Sequence, residues 1–171
     1  MTTIMQERRG QFYKRVLELT LAGGAAFWVT NFAISLTPIA AEYRAGLSIS
    51  YFPMLLEALV GGVIIGIGVS YFLLRFYDKI PTKTPILKSV ILSLIALIIA
   101  TILLEVPSHF VVPNSDPMRY FLIGLLINVL RILALGIVIG YLYERLYKGR
   151  TLPTSDVKSP TVIHSPKQNS T

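Results

Sequence analysis

The sequence predicts an all-α membrane protein, a bundle of four transmembrane helices with both termini in the cytoplasm. Two observations lead to this fold class: four long apolar segments, and an uneven distribution of lysine and arginine between them. The 171-residue chain is 53% hydrophobic, with a mean hydropathy of +0.63. A helix needs about 20 apolar residues to cross the hydrocarbon core of a bilayer. A soluble core of this size would instead require amphipathic helices.

The first predicted span covers about residues 16–40 and follows a basic lead-in at residues 1–15. No charged residue occurs in the 23 positions from Leu19 to Ala41. This run is too long for the apolar region of a typical signal peptide, so we expect a retained helix. Pro38 suits the exit of that helix from the membrane.

The other three spans are predicted at about residues 53–76, 85–105 and 118–147. Pro53 and Pro85 fall in first helical turns, where a missing N–H costs no hydrogen bond. The transmembrane domain is therefore expected at residues 16–149. Residues 150–171 are rich in Ser, Thr and Pro, which predicts a disordered cytoplasmic tail.

Lysine and arginine predict the orientation of the chain. Eleven of them flank the N-terminus, the second loop and the end of the last helix, whereas only Arg44 and Arg119 lie on the other side. This bias is the positive-inside pattern, so we expect cytoplasmic termini in the plasma membrane. Anionic lipid headgroups are the expected partners of the basic segments. The net charge of +7 does not predict nucleic-acid binding, because its placement follows the membrane topology.

Small residues define two expected packing faces. The second span carries a small-residue stripe at four-residue spacing, Ala58, Gly62, Gly66 and Ser70, and the fourth span carries Gly136 and Gly140. Lipid tails are as apolar as leucine, so helices in membranes associate through the close contact that small side chains permit. Two alternatives stay open for the stripe: packing within the bundle, or homo-oligomerisation.

Arg131 is the most informative polar residue. It lies about eleven residues into the fourth span, near the middle of the bilayer, where an arginine costs about 2.5–3.5 kcal/mol on insertion scales. Asn128 shares its face of the helix. Glu57 is the expected counter-charge, with an axial offset of about 7–8 Å at 1.5 Å per residue. Asn31, about halfway along the first span, is expected to join this network.

Three roles remain open for these polar residues. They can form a buried pair that fixes the register of the helices, a site for a solute, proton or lipid headgroup, or a contact with a partner membrane subunit. An ionisable residue inside a membrane is a functional hypothesis by default.

Catalytic and metal-binding patterns are weak in this sequence. Cysteine is absent, and the two histidines, His109 and His164, lie in the outer loop and the tail. No metal site, cofactor or enzymatic activity is therefore predicted. The sequence favours a non-enzymatic accessory, assembly or scaffold component. The alternative is a small oligomeric transporter or channel that uses a polar site formed by Glu57 and Arg131.

Overall fold

The computed structural model describes residues 2–105 and 116–147, and every regular element in these ranges is helical. The helices are α1 (Thr2–Ser35), α2 (Pro38–Gly46), α3 (Tyr51–Phe76), α4 (Pro85–Ala100) and α5 (Pro117–Tyr147). A 3₁₀ turn, Tyr77–Lys79, follows α3, and a π-helical turn, Thr101–Glu105, continues α4. The predicted tail at residues 150–171 and the loop residues 106–115 lie outside the described residues.

Four segments are long and apolar enough to cross a membrane. They are Arg9–Ser35, Tyr51–Lys79, Pro85–Leu103 and Met118–Tyr147. The prediction of a helical fold with four helices long and apolar enough to span a membrane is therefore confirmed for the described residues.

The first span differs from its predicted bounds of about 16–40. Helix α1 begins at Thr2 and already ends at Ser35, and α2 begins at Pro38. Thr37 is extended, and its Oγ1 accepts a hydrogen bond from the backbone N of Ala40 at 3.3 Å. Pro38 lacks the N–H that the first turn of a helix leaves unsatisfied. The Thr37–Pro38 pair is therefore the start of a new helix as well as the end of the span.

The four spanning helices form a ring in the order α3, α1, α5, α4. Helix α1 packs extensively on α3 and α5, and α4 packs extensively on α5, whereas α3 contacts α4 over fewer residues. We call the boundary between α3 and α4 the seam. The end of the bundle that carries α2 is the α2 end, and the opposite end, which carries Arg15, Lys79 and Arg145, is the basic end.

The small-residue stripe of α3 lies against α1. All four of its residues, Ala58, Gly62, Gly66 and Ser70, are buried. A β-carbon built on Gly62 would lie 2.9 Å from Cδ1 of Phe27, and one on Gly66 would lie 3.2 Å from the carbonyl oxygen of Thr20. In this structure the stripe packs within the chain, so it does not present a free surface to a second copy.

Gly136 and Gly140 bring α5 against α4 in the same way. A β-carbon on Gly140 would lie 2.5 Å from Cα of Ile86 and 3.0 Å from the carbonyl oxygen of Pro85. One on Gly136 would lie 2.7 Å from Oγ of Ser93. Backbone atoms cannot rotate aside as a side chain can, so Gly140 sets the distance between these two helices.

Aromatic and basic side chains pack together at the basic end. The rings of Tyr77 and Tyr143 stack with centroids 4.8 Å apart. Lys88 Nζ lies 3.8 Å from the centroid of the Tyr77 ring and donates to the Tyr77 carbonyl oxygen. The guanidinium carbon of Arg15 lies 4.7 Å from the centroid of the Tyr147 ring. This combination is typical of a membrane–water interface.

We expect Gly140→Ala to lower the free energy of unfolding by about 1–3 kcal/mol, because its methyl group meets the backbone of α4. Gly68→Ala is the matched control: no atom lies within 4 Å of its β-carbon position. That change should be neutral or stabilising by up to about 1 kcal/mol, because alanine favours the helix. Titration of the purified protein with SDS in mixed micelles measures the free energy of unfolding of both variants. Equal stability of the two variants would contradict the close approach of α4 and α5.

Candidate functional site

A cavity of about 490 Å³ lies inside the bundle toward the α2 end. Every one of the five helices contributes to its lining, which is mostly apolar. The polar side chains on its wall are Asn31, Ser35, Tyr43, Glu57, Thr101, Asn128 and Arg131. All four residues of the predicted polar network therefore line one cavity.

Arg131 is held between α5 and α1. Its Nη1 donates to Oδ1 of Asn31 at 2.8 Å, and its Nη2 donates to Oδ1 of Asn128. The guanidinium carbon lies 5.3 Å from the centroid of the Phe27 ring, within the range of a cation–π contact. Asn128 precedes Arg131 by three residues, so helix geometry alone places the two side by side. Asn31 is brought in by the tertiary fold.

Glu57 lies on another wall of the same cavity, and its side chain is exposed. Among the described residues, no ion pair within 4.0 Å joins Glu57 to Arg131. The structure therefore places both charges on one cavity without direct contact between them.

Asn31 and Glu57 lie at nearly the same depth. Gly24 of α1 faces α3 where a β-carbon on it would lie 3.5 Å from the carbonyl oxygen of Gly62. Counted from this contact toward the α2 end, Asn31 is seven residues away and Glu57 is five. The difference is about 3 Å at 1.5 Å per residue. The hydrogen bond from Arg131 to Asn31 brings the guanidinium to the level of Asn31, and the offset of about 7–8 Å between the helix positions of Glu57 and Arg131 stays a prediction.

Helix α2 packs on the first residues of α5. The rings of Tyr43 and Tyr120 lie 6.4 Å apart, and Glu42 Oε1 lies 2.5 Å from Arg119 Nη2. A β-carbon on Gly124 would lie 2.8 Å from the Tyr43 hydroxyl.

The aromatic cluster of the basic end gives a reference for the depth of Arg131. Arg131 is twelve residues from Tyr143, so it lies about 18 Å along α5 from this cluster. A hydrocarbon core of about 30 Å that begins at the cluster has its midpoint about 3 Å from Arg131, so a position near the middle of the bilayer stays the prediction. Asn31, in contrast, is only four residues from Ser35, the last residue of α1, and not halfway along its span.

Two polar residues of the cavity lining each have a buried donor atom without an acceptor among the described residues. The side chain of Asn31 is 3% exposed, and its Nδ2 has no hydrogen-bond partner among the described residues. The Oγ1 of Thr101, in the π-helical turn, is also buried without a partner in that part of the chain. Buried polar groups are normally hydrogen-bonded, and π-helical turns occur often at functional sites. Neither atom has appreciable accessible surface, so both lie behind the cavity wall and not on its open face.

The cavity opens at the seam between α3 and α4. Glu57 is exposed although it lines the cavity, and Gly61, one turn further, has no atom within 4 Å of its β-carbon position. Ala100 and Thr101 line the α4 side and are half-buried. A residue that both lines a cavity and is exposed marks its opening. We call this opening, bounded by Glu57, Gly61 and Ala100, the mouth.

Several lining residues were not predicted from the sequence. Phe27 resembles any apolar residue of a span, and Tyr43 was expected in a short outer loop because α2 was not predicted. Ser35 and Thr101 carry no pattern that distinguishes them from helix-packing residues. Among the described residues, no group of three or more His, Cys, Asp or Glu could hold a metal ion.

Comparison with known proteins does not assign this chain to a family. No family model, no curated protein and no solved structure matches it. The chemistry of the cavity therefore has to be inferred from its own residues.

We expect the hydrogen bond between Asn31 and Arg131 to contribute about 1–2 kcal/mol to folding, as interhelical polar contacts in membranes do. A double-mutant cycle of Asn31→Leu and Arg131→Met isolates this coupling, measured by SDS titration. The control cycle pairs Arg131→Met with Ser70→Ala. Ser70 is equally buried, but its Oγ has no hydrogen-bond partner among the described residues, so its coupling should be near zero. Equal coupling in both cycles would contradict this geometry.

Proposed function

We propose that this protein binds a small charged ligand inside its bundle and belongs to the transporter class, with the cavity between Arg131 and Glu57 as its site. The cavity is the observation that carries the proposal. A scaffold needs its charges neutralised in a dry, packed bundle, whereas a binding protein needs a space that a ligand can enter. Its volume of about 490 Å³ lies within the range of small-molecule pockets.

The wall chemistry supports a ligand with an anionic group. The guanidinium of Arg131 is suited to carboxylate or phosphate oxygens, which it can bind through paired N–H donors. Two of its partners, Asn31 and Asn128, are neutral amides that orient the guanidinium. The apolar remainder of the lining provides contact area for the rest of the ligand.

An accessory or assembly role is the second candidate, and one observation favours it. The bond from Arg131 to Asn31 joins α5 to α1, as a polar contact that fixes helix register would. Native mass spectrometry of gently extracted protein separates the two roles. A different polypeptide in fixed ratio supports the accessory role, and a homo-oligomer with a bound small molecule supports the transporter class.

The orientation is also a proposal: both termini face the cytoplasm of the plasma membrane, and the α2 end faces outward. The basic residues at the basic end support it, because they favour the side with anionic headgroups. No enzymatic activity, metal or cofactor is part of the proposed function.

Single cysteines test the orientation, because the chain has none of its own. Ser50, between α2 and α3, and Lys83, between α3 and α4, are both exposed. We expect a membrane-impermeant maleimide to label Ser50→Cys in intact cells and Lys83→Cys only after permeabilisation. The reverse pattern would overturn the orientation.

Access to the cavity is tested with a matched pair of glycines on α3. Neither Gly61 nor Gly68 has an atom within 4 Å of its β-carbon position, but only Gly61 lines the cavity. We expect a charged methanethiosulfonate to modify Gly61→Cys at least about tenfold faster than Gly68→Cys, because the reagent reacts with the thiolate, which hydrocarbon excludes. Equally slow reaction at both positions would argue for a dry bundle and against the proposed function.

A further inference from the structure

We propose that the ligand is the headgroup of a zwitterionic phospholipid, which enters from the leaflet at the α2 end through the mouth in the seam. This inference rests on the proposed binding function and specifies its ligand. Three features carry it: the donors around Arg131, the carboxylate at the mouth, and the lateral position of the mouth.

The inner wall of the cavity is suited to a phosphate. Arg131 supplies a positive charge, and Asn31, Asn128 and Thr101 are further polar residues of the cavity lining. A phosphodiester offers several acceptor oxygens, which suit the paired N–H donors of a guanidinium. Charge-assisted hydrogen bonds of this type are about twice as strong as neutral ones.

Glu57 at the mouth requires a cation. It lies six residues after Tyr51, the first residue of α3, which places it about 9 Å below that end of the helix. A carboxylate at this depth is costly unless it is paired. A ligand with an anionic group alone would leave Glu57 unmatched and would be repelled by it. A ligand that also carries an ammonium group beside its phosphate offers an opposite charge to each wall.

The position of the mouth favours a lipid over a solute. Helix α2 covers the cavity at the α2 end, where Ala40, Tyr43 and Leu47 contribute to the lining. On the α3 side, the lining extends from Ile49 through Glu57 to Gly61 and Ile65, so the cavity runs along the seam from the α2 end inward. A headgroup can therefore move along the seam from the membrane surface.

The surface beside the mouth can hold the acyl chains of the same lipid. Val60 and Ile64 flank Gly61 on α3 and are 51% and 64% exposed, and Ile98 on α4 is 59% exposed. These side chains face the region that hydrocarbon occupies in a membrane. The acyl chains therefore need not leave the bilayer when the headgroup enters the cavity, whereas a solute would gain nothing from a lateral opening.

Native mass spectrometry of the purified full chain tests the ligand with three probes: phosphatidylethanolamine, phosphatidylglycerol and soluble phosphoethanolamine. We expect phosphatidylethanolamine to bind at least about tenfold more tightly than phosphatidylglycerol, because only the former pairs with Glu57. Glu57→Gln should abolish this preference by strengthening the binding of phosphatidylglycerol. Arg131→Gln should weaken the binding of both lipids by about tenfold or more.

Matched controls separate these effects from general changes of charge. Glu42→Gln and Arg119→Gln make the same substitutions in an ion pair outside the cavity lining and should leave lipid binding unchanged. Gly61→Leu should weaken binding of phosphatidylethanolamine by about tenfold by filling the mouth, whereas Gly68→Leu should not. Both leucines enter open space, so both variants are expected to fold.

Each contrary result has a distinct meaning. Equal binding of the two lipids would overturn the role of Glu57 and the zwitterionic class. Soluble phosphoethanolamine that binds as tightly as the lipid would overturn the lipid source. Failure of all three probes to bind, with Gly61→Cys still reacting rapidly, would overturn this ligand and leave the proposed function standing. Slow reaction of Gly61→Cys would overturn both the lipid ligand and the proposed binding function.

Discussion

Close backbone contact between helices determines how this chain folds. In lipid there is no hydrophobic driving force between helices, because the lipid tails are as apolar as the side chains. Helices therefore associate where small residues allow their backbones to meet. Gly62 and Gly66 join α3 to α1, and Gly140 joins α5 to α4. The seam between α3 and α4 has a glycine, Gly61, that meets no neighbouring atom. The cavity opens where small residues line a helix face without a close partner.

The polar residues of the cavity depend on this arrangement. Tight packing of α1 on α3 brings Asn31 and Glu57 to about the same depth, and Asn31 in turn holds Arg131 by a hydrogen bond of 2.8 Å. The same contacts keep the two opposite charges on separate walls. A structural ion pair would close this space, whereas two separated charges create a polar gap in an otherwise apolar bundle. That gap is the basis of the proposed binding function.

Helix α2 connects α1 with α5 at the α2 end of the bundle and contributes to the cavity there. The Arg44 Nη1 donates to the carbonyl oxygen of Ser35 at 3.2 Å, so α2 satisfies a backbone group that the end of α1 leaves free. Its other side packs on the extended start of α5 through Tyr43. A nine-residue segment thus supports two long helices and contributes to the cavity lining. Its amphipathic pattern is too short to separate from a loop by periodicity.

The sequence by itself determined the four spanning helices, because hydrocarbon requires long apolar segments with internally bonded backbones. It also determined the pairing of Asn128 with Arg131, which follows from three-residue spacing on one helix. Only the tertiary structure decided that Asn31 meets Arg131, that Glu57 stays apart from it, and that α1 ends at Ser35. These outcomes depend on how far each helix extends and on which glycine faces which neighbour. Hydropathy along the chain does not encode relative axial position, because lipid accepts any register that keeps apolar residues in the hydrocarbon.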